Sequence, residues 1–148
     1  VIGPRCQPDR ELSIFAERSI HGQRPIVHGK FRDGTFIPCA ADYTNIYDAV
    51  EGTILAATAR KFDVFNLATG ILTTVLRIAE LVLHFLGKTD IEPEFRELLR
   101  HESLVHLGDA SKMKRVFGFE ARTPVEVSVK QYVDWRLRTG PREQAIYK

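Results

Sequence analysis

Histidine and carboxylate side chains come nearest to a reactive cluster at His101, Glu102, His106 and Asp109. A spacing of five does not fix two imidazoles on one side of a helix, and no third ligand is clustered with them, so a metal site is not expected. The segment from Gly29 to Thr35 has the outer spacing of a phosphate loop. It lacks the Lys before the Thr, and Phe36, Ile37 and Pro38 cannot open the helix such a loop requires. No two of the 10 glycines lie closer than Gly29 and Gly34, so the tight glycine cluster that lets a backbone approach a dinucleotide pyrophosphate is missing. None of the four tyrosines has Lys four residues on; Tyr132, followed by Arg136, comes nearest. No Ser stands in a nucleophile elbow. Cys6 and Cys39 have neither the number for a disulfide scaffold nor the short paired spacing of a zinc site, and are read as reduced. No catalytic residue, bound cofactor or metal is therefore expected from local motifs.

The elements that would carry these residues belong to a chain of 148 residues and 16.8 kDa, enough for one core and short for two. It is read as a single unit, 1–148, with 141–148 frayed. With 21 basic and 19 acidic residues the net charge is +2, which does not suggest a nucleic-acid partner. The most apolar stretch, Ile71 to Leu86, is interrupted by Thr73, Thr74, Arg77, Glu80 and His84, so no membrane span is expected. There is no signal-peptide pattern at the start, and the expected location is cytoplasmic. The first residue is Val, and a fragment or processed product is the expectation.

Apolar spacing predicts a helix from Arg10 to His21 capped by Asp9 and stopped by Gly22. Residues 25–28 read as a short strand, and 29–41 as a loop or irregular hairpin. A helix follows from Asn45 to about Thr58, with Gly52 inside it. Residues 63–67 alternate and read as a strand; Thr73 opens the most apolar helix, which needs cover on two sides and ends at Gly87. Residues 91–98 read as an edge strand because of Pro93. A short helix runs from Ala110 to Phe117. Thr123, Pro124 and Glu126 form a capping-box pattern before a helix to about Arg138. The fold class is α/β in the sense of mixed α and β, about five helices with short strands.

Over Ile2 to about Arg136 the order of short motifs resembles a known family. Ile-Gly-Pro-Arg at 2–5, Phe-Ala-Glu-Arg with Gly-Gln-Arg-Pro-Ile-Val-His-Gly within 15–29, Asp-Tyr-Thr-Asn-Ile-Tyr-Asp-Ala-Val-Glu-Gly at 42–52, Phe-Asn-Leu-Ala-Thr-Gly at 65–70 and Asp-Ala-Ser-Lys-Met-Lys-Arg-Val-Phe-Gly-Phe at 109–119 resemble the C-terminal half of an extended short-chain dehydrogenase/reductase. The subclass is the NAD-dependent nucleotide-sugar epimerases and dehydratases. The helix from Thr-Pro-Val-Glu to Tyr-Val-Asp-Trp resembles the family's last helix.

The resemblance implies the substrate-binding part without the N-terminal Rossmann half. The NAD loop and catalytic Tyr-x-x-x-Lys of the family lie upstream of the Gly-Pro-Arg segment, so no NAD in this chain and no epimerase or dehydratase activity of the chain alone are expected. The implied partner is a UDP- or dTDP-linked sugar. By motif position, Pro25, Ile26 and Val27 resemble the strand beside the base, Asn66 the Asn near the nucleotide, and Arg100 the phosphate-clamping Arg. Asn66 also has a plain reading as a turn residue, Ile26 and Val27 as core strand, and Arg100 as an exposed arginine. Ala41 replaces the family's phosphate-contacting Arg before Asp42 and Tyr43, and Arg100-His101-Glu102 departs from the family's Arg-Pro-Gly-Asp. Asp48, matching the second Asp of the family's pair, suits the first turn of a helix. The second reading is a protein-interaction module that self-associates through sheet edges exposed at residues 1–3 and 63–67.

Overall fold

The computed structural model describes residues 1–98 and 103–140. Arg100, His101, Glu102 and the expected frayed tail therefore lie outside the described residues. Within them are helices α1 (Glu11–Ile20), α2 (Ile46–Ala56), α3 (Val75–Phe85), α4 (Ser111–Phe117) and α5 (Val125–Thr139). Six short strands accompany them: β1 (Ile26–Arg32), β2 (Thr35–Pro38), β3 (Ala40–Asp42), β4 (Leu72–Thr74), β5 (Glu94–Glu97) and β6 (Val105–His106). The mixed α/β class and the five helices match the expectation.

The most apolar helix, α3, is the centre of the core. Ile78, Ala79 and Val82 are fully buried, with α1 on one side and α5 on the other, so the cover on two sides that its composition demands is present. Leu12, Phe15 and Ala16 of α1 and Val129, Tyr132 and Val133 of α5 complete the cluster. Gly87, at φ 66, ends α3 in the left-handed conformation that costs a glycine least. No helix among the described residues is long and apolar enough to cross a membrane.

The strands form two sheets in the orders β2-β1-β5 and β4-β3-β6. In each, the middle strand has one antiparallel and one parallel neighbour. β5 lies at an edge, as Pro93 suggested. The segment read as a loop or irregular hairpin is a regular hairpin of β1 and β2, because Asp33 (φ 50) and Gly34 (φ 77) supply the two positive φ angles that a two-residue turn needs. Cys39, between β2 and β3, ties the first sheet to α3: its N–H donates to the His28 carbonyl at 3.0 Å, and its carbonyl accepts the Val75 N–H at 2.8 Å.

Five local expectations are corrected. Residues 63–67 are not a strand; the alternation makes an extended segment, but no strand among the described residues lies alongside it. Residues 1–3 likewise contribute only a single bridge, Ile2 to Asn45. Leu72 to Thr74, placed partly inside the helix by periodicity, pair with β3 instead, and Thr74 caps α3 by accepting the Arg77 N–H at 3.1 Å. At the ends of two helices, Asp9 stands one residue too early and Arg10 is the cap residue without a side-chain bond. The capping box at Thr123 is not made, because its hydroxyl and N–H both donate to Asp48, at 2.7 and 2.9 Å.

Candidate functional site

Strand β1 turns Val27 into the core, fully buried, and Ile26 and His28 to the other face, as the two-residue period of a strand requires. Helix α1 does the same with a period of 3.6. Leu12, Phe15 and Ala16 face the core, while Glu11, Ile14 and Arg18 form the neighbouring stripe. Between these two surfaces lies a cleft of about 650 Å³, also lined by Cys39, Ala40, Ala41 and Tyr43, by His106, the register partner of Ala41, and by Arg96 and Ser103. Its size is in the range of small-ligand sites.

The cationic end is held rigidly. Arg18 Nε donates to the Arg24 carbonyl at 2.7 Å, and Arg24 in turn donates to the carbonyls of Glu92 and Pro93 at 2.8 and 2.9 Å, fastening β5 beside β1. Arg96, the register partner of His28, is steadied by Glu94 at 2.6 Å. The Arg96 guanidinium holds the Glu94 carboxyl below its usual range. Each arginine is thus oriented through Nε, and the planar fork of its terminal nitrogens suits an anionic oxygen pair.

The opposite end holds Glu11, Cys39 and Tyr43. Tyr43 is 7 % exposed, and its hydroxyl is buried with no hydrogen-bond partner among the described residues. Burial pushes the phenol well above its ordinary range, and the charges of Glu11 and Cys39 push the same way. A second cleft of about 680 Å³, lined by Ile2, Pro4, Arg5, Cys6 and Arg10 among others, shares Glu11, Ala41, Tyr43 and His106 with the first. Burial raises the Cys6 thiol there, against a smaller opposing effect from Ser13.

Asp42 anchors the loop behind this end. Its carboxylate accepts the Thr69 N–H and hydroxyl at 3.0 and 2.8 Å and the Gly70 N–H at 2.7 Å. Asp48 fastens Thr123 in the same way, a task beyond the helix-dipole role that its place in the first turn of α2 suggests.

Of the residues singled out from sequence, Ile26 lines the α1–β1 cleft, with Val27 buried in the same strand and Pro25 buried just before it. Asn66 does not line it. Its side chain donates to the Asp109 carbonyl at 3.0 Å, tying the extended segment to the start of α4, beside a Phe65–Phe117 edge contact at 5.1 Å. Arg18, His28 and Arg96 were not found by motif, whereas His106, singled out with His101, Glu102 and Asp109, lines the cleft. The signal for Arg18 was present: Glu11, Ile14 and Arg18 recur at helical spacing on a stripe next to the apolar one. Among the described residues no three His, Cys, Asp or Glu side chains converge to hold a metal.

Comparison with known proteins gives a consistent picture. No protein-family model matches the chain. A UDP-glucuronate 4-epimerase of Thermodesulfobacterium geofontis is 29 % identical over 136 residues, covering 91 % of this chain and 40 % of that protein. Among solved structures, UDP-glucose 4-epimerase of Thermotoga maritima with UDP-glucose is 31 % identical, covers 93 % of this chain and 43 % of that one, and has a TM-score of 0.74. The UDP-glucuronic acid 4-epimerase of Bacillus cereus, in complex with UDP-glucuronic acid and NAD, is 20 % identical, with a TM-score of 0.79 over 93 % of this chain and 43 % of its own, a likeness of fold. The chain spans about two fifths of the length of the curated relatives it matches.

Proposed function

We propose that this chain, which is similar to part of the NAD-dependent nucleotide-sugar epimerases and dehydratases of the extended short-chain dehydrogenase type, is their substrate-holding C-terminal portion and binds a UDP- or dTDP-linked sugar in the cleft between α1 and β1. One observation carries the reading: Arg18 and Arg96, each oriented through Nε, face a cleft whose strand wall includes Ile26, where the family resemblance puts the base. A diphosphate meets arginine's donor fork there, and a flat base meets the apolar and imidazole side chains of Ile26 and His28.

The residues present do not fit NAD. The sequence has neither closely spaced glycines nor a Tyr-x-x-x-Lys pair, so the redox step of the relatives is assigned no residue in this chain. The expected behaviour of the chain alone is weak ligand binding without turnover. Titration calorimetry with UDP, dTDP and their glucose conjugates checks this. Saturable heat at high micromolar to millimolar ligand is the expected result, lost when Arg18 and Arg96 are both changed to Gln; no heat at millimolar ligand removes the binding reading.

A second reading, self-association, is favoured by the apolar row on α2. Tyr47, Val50 and Ile54 lie on one face at three- and four-residue spacing, and all three are exposed. A second copy of the chain covering that row is the partner this reading names.

A further inference from the structure

The cleft between α1 and β1 is electrically two-ended. Glu11 and Arg18 stand seven residues apart on the same stripe of α1, which at 1.5 Å per residue separates their backbone positions by roughly 10 Å along the helix. Arg18 stands where Arg24 fastens β5 to β1, and Arg96 lines the same cleft, so that end favours an anion. The Glu11 end is different. Glu11 lines it together with Tyr43, whose hydroxyl is buried with no hydrogen-bond partner among the described residues, and the neighbouring wall is Cys39, Ala40 and Ala41 with His106 beside Ala41. Arg10 lines the adjoining cleft rather than this one and is engaged through Nε with Gln7 at 3.1 Å; His106 is common to both clefts.

We propose that Glu11 and Tyr43 form a selectivity end of the cleft, which accepts a ligand's neutral hydroxyl or amine and rejects a carboxylate, so that a diphosphate-linked neutral or amino sugar is preferred over a uronic acid. A sugar hydroxyl donates to the Glu11 carboxylate and exchanges a hydrogen bond with Tyr43, giving the buried phenol the partner that it lacks. A buried polar group left without one carries a standing cost, which a matching ligand removes and a mismatched ligand does not. A uronate carboxylate would face the exposed carboxylate of Glu11, and like charges repel.

The inference rests on the nucleotide-sugar reading, and calorimetry on the full chain with UDP, UDP-glucose and UDP-glucuronate separates the two. UDP-glucose is expected to bind at least about tenfold more tightly than UDP-glucuronate. E11Q is expected to bring the two affinities together by strengthening UDP-glucuronate. Y43F is expected to weaken UDP-glucose by about fivefold while leaving UDP unchanged. Equal affinities for the two sugars in the unaltered chain, or a preference that E11Q does not change, overturns the selectivity end and leaves the nucleotide site standing. Absence of binding by UDP and both conjugates overturns the nucleotide reading and this inference with it.

Discussion

Arg136 is 4 % exposed, and a guanidinium taken that far out of water needs acceptors for its donors. Glu17 supplies both carboxylate oxygens, to Nε and to Nη2, and the Gly140 carbonyl accepts from Nη1 at 2.6 Å. The Glu17 bonds favour the charged form of Arg136 further, outweighing the opposing effect of burial. Removing one partner of such a pair strands the other, so Glu17→Ala is expected to cost about 3–5 kcal/mol in denaturant unfolding, and Glu17→Gln, which keeps one acceptor, less. Equal midpoints for the Ala variant and the unaltered chain would show that the pair carries no stability. At this scale the sequence was readable where a residue serves its own neighbours and misleading where it serves distant ones. The Thr123, Pro124, Glu126 pattern is a sound local signal, yet Thr123 bonds Asp48 and Glu126 bonds Arg77 at 3.2 Å. The Asp48 carboxylate, from another helix, takes the Thr123 N–H that the pattern assigns to the Glu126 side chain.

Among the elements, the β1–β2 hairpin shows most directly how a strand tolerates its neighbours. A Cβ on Gly29 would run into the carbonyl oxygen of Ile37 and, at 2.6 Å, the ring of Phe36. Ile37 cannot yield without breaking the ladder in which Gly29 pairs with Pro38 and Lys30 with Ile37. Gly29→Ala is expected to lower the unfolding free energy by about 1–3 kcal/mol, against about 1 kcal/mol for Gly34→Ala, which meets nothing within 4 Å but is strained at φ 77. Thermal melts of the two variants check the order. Helix positions were legible throughout because a 3.6-residue period is a property of the segment alone. Strands 63–67 and 1–3 were misread for the converse reason: alternation describes a two-faced extended chain, whereas a strand also needs a partner.

For the molecule as a whole, the unpaired segment 63–67 is held by side chains instead of a ladder. Lys112 bonds Asp63 and, at 3.0 Å, the Val64 carbonyl, and its ammonium lies 4.9 Å from the centre of the Phe65 ring. Close by in sequence, Phe62 is 99 % exposed and Val64 67 %, and α2 presents Tyr47, Val50 and Ile54 to solvent. An apolar surface of this kind is expected to drive pairing of chains. Light scattering across the micromolar range is expected to show a dimer or larger species, shifted toward monomer by Ile54→Glu; a monomer at all concentrations overturns the self-association reading.

What the residues alone determined was everything set by local spacing: five helices, the αL stop at Gly87, the edge position of the strand after Pro93, and a motif order shared with the nucleotide-sugar epimerases. The cleft itself came only with folding. Arg18, His28, Arg96 and His106 are far apart along the chain and carry no mutual spacing, and they line one space because β1 pairs with β5 while β3 pairs with β6. Which face of a helix or strand meets a ligand is decided by what covers the other face, and that is a property of packing.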